Sequence, residues 1–351
     1  MGLVTPTEAV PLEDLGRVHF AGIGGAGMSG IARIMLARGV SVSGSDSAAS
    51  PVLAELGALG ARVHVGHRAE YLGEADTLVV SSAIRQENPE LAEARRRGIR
   101  VLHRAGALAS LMFGRRVIAV TGTHGKTTTT SMITTVLRKT GADPGYVIGG
   151  VLAATGVGAA DGGGHDFVAE ADESDGSFLM LAPDAAVVTN VEADHLDNYG
   201  TAEAYRASFG AFAARITPGG LLVTCADDPG ARELAGQARG RGLRVRTYGE
   251  SADADYRVSG TRAKGMQTTF TVRSTTSPFG TIDSDVTLEV PGEHNALNAA
   301  AAFAAVVELG IAPRGEWSRR ARPAASGCST RTPTTRPSWP PTCAPLGTLS
   351  E

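Results

Sequence analysis

Short apolar runs that break into glycine or polar residues, each followed by a helix-length stretch, recur along this chain. The first is Val18-His19-Phe20-Ala21, which gives way to Gly22-Ile23-Gly24-Gly25-Ala26-Gly27-Met28-Ser29 and then to a helical pattern through Leu36, ended by Gly39. A second strand, Val40 to Ser43, leads to Asp46. Further strands at Thr77 to Ser81 and Ile99 to Leu102 alternate with helices at Pro89 to Arg97 and Arg104 to Met112. Strand and helix alternating in this way predict a parallel sheet running to about residue 112. Val117 to Val120 then starts a second series: a turn, a helix to Lys139, strands at Asp166 to Glu170 and Ala185 to Thr189, and a helix from His294 to Leu309. After Ile311 the periodic pattern stops.

Composition agrees with that layout and narrows what it can serve. With 351 residues, 42% hydrophobic and 5% aromatic, the chain can form two or three α/β domains with real cores. A net charge of -3 gives no electrostatic case for nucleic acid, and no apolar run is long enough to span a membrane. The opening, Met1 to Asp14, lacks the basic-then-apolar layout of a secretion signal, so a cytoplasmic protein is expected. Cysteines at 225, 328 and 343 have neither metal-site nor disulfide spacing.

The chemistry concentrates at strand ends. Thr121-Gly122-Thr123-His124-Gly125-Lys126-Thr127-Thr128 joins an apolar strand to a helix and reads as a nucleotide triphosphate site. Small residues let backbone N–H groups approach phosphate oxygens, Lys126 can reach the transferable phosphate, and the Thr127 hydroxyl can hold Mg2+. Val120 stands where the ordinary NTPase loop has its first glycine, so this is a shortened variant. Downstream, Glu170-Ala171-Asp172-Glu173-Ser174-Asp175 puts several carboxylates at one strand end. They form either a solvated acidic loop or a metal site. His195 leaves the next strand and is either merely hydrogen-bonded or a ligand of a second metal ion. The glycine turn at 22–29, with Asp46 at the spacing of a ribose-binding acid, fits tight packing without ligand or a dinucleotide. Ser81 and Ser82 end a strand, where ligands bind such sheets.

Taken in order, Gly-Thr-His-Gly-Lys-Thr-Thr, Glu-Ala-Asp-Glu-Ser-Asp, Thr-Asn-x-x-x-Asp-His-x-Asp and, at 292–298, Gly-Glu-His-Asn-x-x-Asn resemble the motifs of the Mur ligases. These are the ATP-dependent amide-forming enzymes of peptidoglycan synthesis. The resemblance covers residues 17–310 and is closest to the alanine-adding branch, whose amino domain carries Gly-Ile-Gly-Gly-Ala-Gly-Met-Ser. Sister enzymes carry a carbamylated lysine where this chain has Phe209, and the alanine-adding type is similar in lacking it.

The resemblance implies a Rossmann-like UDP-sugar domain at 1–112, a central P-loop-type ATPase domain at 113–311, and a tail at 312–351 in place of a third, Rossmann-like domain. It implies ATP on Gly122, Thr123, His124, Gly125, Lys126, Thr127 and Thr128, with His294, Asn295 and Asn298 facing adenine. Without the family, those last three read as a helix cap. Mg2+ would sit on Thr127, Glu170 and His195, which with Lys126 carry catalysis. UDP-N-acetylmuramate would take Gly22, Gly24, Gly25, Ala26, Gly27, Met28, Ser29, Asp46, Ser81 and Ser82, and L-alanine would be the second substrate. Two readings of other classes stay open: a non-catalytic UDP-muramate and ATP-binding remnant, and a NAD-dependent oxidoreductase resting on the glycine turn alone.

Beyond Ile311 lie both tryptophans and seven of the 17 prolines, a composition that cannot bury enough surface to offset chain entropy. Regrouping the bases of codons 327–345, so that each new codon takes the last base of one and the first two of the next, permits Val-Phe-Asp-Ser-Tyr-Ala-His-His-Pro-Thr-Glu-Leu-Ala-Ala-Asp-Leu-Arg-Ala. This resembles the motif that opens the family's third domain. A frame shift is therefore expected there, accompanied upstream of Ala324 by a deletion or an assembly fault.

Overall fold

The computed structural model describes residues 3–313; the tail reading and its regrouped codons fall, from 314 on, outside the described residues. Two sheets organise the chain. The first consists of β1 (Val18–Ala21), β2 (Val42–Asp46), β3 (Arg62–Val65), β4 (Thr77–Val80) and β5 (Arg100–His103), all parallel, in the order β3-β2-β1-β4-β5. Helices α1 (Ala26–Ala37), α2 (Pro51–Ala58), α3 (Pro89–Arg97) and α4 (Arg104–Ser110) make the crossings and the exit. This doubly wound order reverses between β1 and β4, and ligands bind such sheets at the carboxyl ends beside the reversal. The glycine turn after β1 and the Ser81-Ser82 segment after β4 stand on either side of it.

The second sheet is larger. In chain order it takes β6 (Arg116–Thr121), α5 (Lys126–Lys139), β7 (Gly145–Leu152), β8 (Val157–Ala160), β9 (Asp166–Glu170), β10 (Ala185–Val188), α6 (Leu196–Tyr199) and α7 (Ala202–Ala213). It continues with β11 (Leu221–Cys225), α8 (Pro229–Gly240), β12 (Arg244–Gly249), β13 (Tyr256–Lys264), β14 (Gln267–Ser277), β15 (Gly280–Leu288) and α9 (Glu293–Glu308). The strand order is β15-β14-β13-β12-β11-β10-β6-β9-β7-β8. From β12 through β7 every neighbouring pair is parallel; β8 and the β13–β15 meander are antiparallel edges. Strand β6 is flanked by β9 and β10, so the loops leaving these three strands meet at one edge.

The strand ends and helices have local causes. Ser50 caps α2 by accepting from the Leu53 N–H, with Pro51 at the first helical position. Asn88 and Pro89 do the same for α3, and Asp228 and Pro229 for α8. Seven of the 16 residues of helix α9 are alanine, and the helix is buried almost along its whole length, packed on α5 and the strands β11 to β14. Burying a helix on all sides needs small side chains, because larger ones would hold the sheet and α5 apart. One apolar cluster runs through both sheets. It crosses between them where Gly30 of α1 meets Ala159 of β8, with Arg38 bonded to Asp161 at 2.7 Å and 2.9 Å. No helix among the described residues is long and apolar enough to cross a membrane.

Candidate nucleotide and sugar site

The loop between β6 and α5 owes its shape to its two glycines. Gly122 has φ 130° and Gly125 φ 83°, conformations that L side chains avoid. A Cβ on Gly122 would stand 2.1 Å from Thr189 Oγ1, and one on Gly125 2.4 Å from Asn298 Oδ1. The backbone is therefore packed hard against the end of β10 and the start of α9, and it leads directly into the N-terminus of α5, where unpaired N–H groups favour anions.

Neighbouring strands pin the loop further. Thr189 Oγ1 donates to the His124 carbonyl at 2.5 Å, and Asn190 Oδ1 accepts from the His124 N–H at 2.8 Å. Thr123 Oγ1 donates to the Glu192 carbonyl at 3.0 Å and lies 3.1 Å from the Tyr205 hydroxyl. Lys126 Nζ donates to Glu173 Oε1 at 2.9 Å and to the Gly122 carbonyl at 2.7 Å. Thr127 Oγ1 donates to Glu170 Oε1 at 3.1 Å, while Glu170 Oε2 accepts from the Gly149 N–H at 2.8 Å. Burial pushes the Glu173 carboxyl above its ordinary range, against the pull of the Lys126 ammonium.

Beside the loop opens a cleft of about 590 Å³, lined by His124, Gly125, Thr128, Asn190, Asp228, Tyr248, His294, Leu297 and Asn298, among others. Its walls are the ends of β6, β10, β11 and β12 and the first turns of α9. Cys225 also lines it, and burial pushes its thiol up, so it is a neutral wall group. The cap reading of α9 is corrected here: Gly292 is the N-cap and no side chain caps the helix. Asn295 Nδ2 donates back to the Pro291 carbonyl at 2.8 Å, and Asn298 Nδ2 to Asn295 Oδ1 at 3.3 Å. The amide pair is thus built into the cleft wall.

Of the residues expected at two cations, the first pair comes together and the one expected at the second lies apart from it. Thr127 and Glu170 meet, but His195, at φ 51°, turns its ring to Glu173 (3.9 Å) and Asp194 (3.8 Å). Among the described residues no three His, Cys, Asp or Glu side chains gather as a metal set. The two hard oxygens of Thr127 and Glu170 suit a cation that takes its remaining ligands from phosphate and water, as Mg2+ does. Phe209 is fully buried in an aromatic group, its ring 5.2 Å from Tyr205 and 5.6 Å from Phe178.

At the first sheet, Asp46 Oδ2 accepts from the Gly24 N–H at 2.9 Å, so this acid shapes the glycine turn. Ser29 donates to the Ala26 carbonyl at 3.3 Å within its own helix, and the Met28 side chain is buried in the core. Both residues thus take part in the start of α1. Gly22 and Gly25 belong to the turn itself, Ala26 and Gly27 open α1, and Ser81 lies in the loop after β4.

Ser82 Oγ donates to Asp175 Oδ2 at 2.5 Å and lies 3.2 Å from His103 Nε2. Arg104 Nη2 donates to Asp172 Oδ2 at 3.2 Å, and a Cβ on Gly27 would stand 3.0 Å from Arg104 Nη1. The acidic segment after β9 thus reaches the phosphate loop with Glu173 and the first sheet with Asp172 and Asp175, which excludes a purely solvated acidic loop. Glu173, Arg104, His103, Tyr205, Tyr248 and Asp228 were not singled out by sequence. Apart from Tyr205, which lies within α7, only their positions at the carboxyl ends of strands, or just after them, signalled them.

A shortened phosphate loop with a nucleotide-sized cleft, joined through an acidic segment to a doubly wound sheet with a glycine turn, defines a two-site α/β protein. The profile of the Mur ligase middle domain matches residues 120–306 and that of the Mur ligase family catalytic domain residues 17–116, and the chain belongs to the Mur ligase family. It is 58% identical over 313 residues, 89% of its length, to UDP-N-acetylmuramate--L-alanine ligase of Thermobifida fusca, and 58% identical over 85% of its length to that of Kineococcus radiotolerans. The chain spans 65% and 63% of these relatives' lengths. The solved UDP-N-acetylmuramate-alanine ligase of Thermotoga maritima superposes with a TM-score of 0.72 at 30% identity, covering 84% of this chain and 65% of that one.

Proposed function

We propose that this chain provides the sugar-nucleotide and ATP sites of a ligase that joins L-alanine to UDP-N-acetylmuramate. Residues 1–112 would hold the sugar nucleotide and 113–311 the ATP. The observation that carries the reading is the acidic segment after β9, which pairs with the phosphate-loop lysine through Glu173 and with Arg104 and Ser82 beside the glycine turn through Asp172 and Asp175. Such a bridge is what a reaction between a bound sugar carboxylate and a bound triphosphate requires.

The chemistry follows from the groups at hand. The muramate carboxylate attacks the γ-phosphorus, the bond to ADP breaks, and an acyl phosphate forms; the amine of L-alanine then displaces phosphate and an amide results. Negative charge builds on phosphoryl oxygens in the first step, and Lys126 with the N–H groups at the start of α5 would offset it. No side-chain nucleophile is needed. Thr127 and Glu170 would hold Mg2+, which when bound supplies further charge neutralisation on the phosphates; His195 is the candidate nitrogen ligand for a second ion. Asn295 and Asn298, with His294, would read the adenine edge from the wall of the cleft.

Phosphate release with ATP, UDP-N-acetylmuramate and L-alanine tests the reading directly. Lys126→Ala should abolish amide formation in a turnover-competent form while sugar-nucleotide binding stays nearly intact. Equal loss of both by calorimetry would refute the division of labour. Binding of both nucleotides without alanine-dependent phosphate release would favour a binding remnant instead.

A further inference from the structure

The lysine of the phosphate loop has no spare proton to offer. Its Nζ lies 2.7 Å from the Gly122 carbonyl, 3.4 Å from the Thr123 carbonyl and 2.9 Å from Glu173 Oε1. An ammonium has three donors, so a phosphate oxygen must displace one of these partners. Two of the three are uncharged carbonyls of the loop itself, which leaves Glu173 as the electrostatic competitor. Its side chain is fully buried and its Oε2 has no hydrogen-bond partner among the described residues. The backbone around it is also fastened: the Tyr199 hydroxyl donates to the Glu173 carbonyl at 2.5 Å, and Asn198 Nδ2 to the Ser174 carbonyl at 2.9 Å. A carboxylate held this firmly does not follow the lysine when it moves. Neither phosphoryl transfer nor amide formation, as set out above, uses it.

We propose that Glu173 is a positioning residue that holds Lys126 folded back on its own loop and competes with an incoming phosphate chain for the ammonium. The idea rests on the phosphate-loop reading. When a polyphosphate takes the lysine, a buried carboxylate is left without its counter-charge, a state that is costly. The chain therefore binds a bare polyphosphate more weakly than its loop geometry alone would allow, and removing the carboxylate removes the handicap.

Calorimetric titration of the 351-residue chain with inorganic tripolyphosphate, in EDTA so that no cation contributes, tests this. Glu173→Gln, which keeps the shape and loses the charge, should bind roughly tenfold tighter than the wild type, equivalent to ~1.4 kcal/mol. Glu173→Ala carries the same expectation and covers the case in which the amide does not fold. In a Lys126→Ala background the gain should shrink severalfold, since there is no ammonium left to release. Unchanged or weaker binding by both Glu173 variants overturns the proposal. A gain of equal size with and without Lys126 overturns it too, because the carboxylate would then be a repelling charge and not a hold on the lysine. If Lys126→Ala alone leaves tripolyphosphate affinity untouched, the phosphate-loop reading fails first and takes the proposal with it.

Discussion

Replacing Gly125 by alanine separates two effects that act together at the phosphate loop, backbone strain and the packing of the loop on α9. At φ 83° an L residue costs about 1–2 kcal/mol relative to glycine. The added Cβ would also stand 2.4 Å from Asn298 Oδ1 and 3.2 Å from its Cγ. Asn298 cannot yield freely: it is buried, lies 3.3 Å from Asn295 Oδ1 and accepts from Thr129 Oγ1 at 3.4 Å. Rotating it away weakens two long hydrogen bonds inside the protein, ~1–2 kcal/mol in all. The total expected loss is therefore ~2–4 kcal/mol. Gly141 supplies the control, with nearly the same φ of 81° and nothing within 4 Å of where its Cβ would stand. Gly141→Ala should cost the strain alone, ~1–2 kcal/mol. Urea unfolding of both variants, and of Gly125→Ala combined with Asn298→Ala, measures the difference and the coupling. Equal costs at 125 and 141, with no coupling to position 298, would refute the claim that α9 shapes the phosphate loop.

Burial pushes the His103 imidazole down from its ordinary 6.5, so the unfolded chain binds the proton more readily; its stability contribution is full above that value and is lost as pH falls through and below it. His103→Asn, which keeps an acceptor for the Ala105 N–H, should flatten the fall in urea stability between about pH 7 and about pH 5, and an unchanged slope would count against the assignment. Phe209→Ala removes a fully buried ring and should cost ~3–5 kcal/mol of unfolding free energy without altering the affinity for sugar nucleotide. Glu308 is buried, accepts from Arg246 Nε at 2.9 Å and from the Tyr256 hydroxyl at 2.8 Å; Glu308→Gln should destabilise by about 1–2 kcal/mol, discounted because Arg246 is partly exposed. Sequencing the coding DNA through codons 324–345 checks the regrouped reading: a single clean frame that does not permit Tyr-Ala-His-His-Pro-Thr-Glu would remove it.

What could be read from the residues alone was whatever rests on local pattern. Strand β1, its glycine turn and helix α1 are a continuous stretch whose periodicity changes from strand to helix at Ala26, and β6 with α5 repeats the device at Lys126. The β13–β15 meander was not read, although Thr268, Phe270, Val272 and Ser274 alternate inward along β14. The reason is chemical: two of the four inward residues carry hydroxyls, so a hydrophobicity pattern misses them. Thr268 is tolerated inside because its Oγ1 donates to the Val290 carbonyl at 2.8 Å. Glycine-rich β7 and β8 were missed for another reason, since Gly149, Gly150 and Gly158 carry no side-chain signal and are fixed by close approach to Glu170 and to one another.

The site divides along the same line. Lys126, Thr127 and Glu170 come from motifs whose spacing is set by one turn or one strand end, and they meet. The pairing of Ser82 and His103 with Asp175, and of Arg104 with Asp172, joins positions 68 to 93 residues apart and depends on how two sheets dock through Gly30 and Ala159. No local pattern encodes that distance. The acidic segment after β9 shows why it matters: Asp172, Glu173 and Asp175 are one to three residues apart in sequence, yet face Arg104, Lys126, and Ser82 with His103. A segment with both ends committed in this way cannot shift toward one site without disturbing the other.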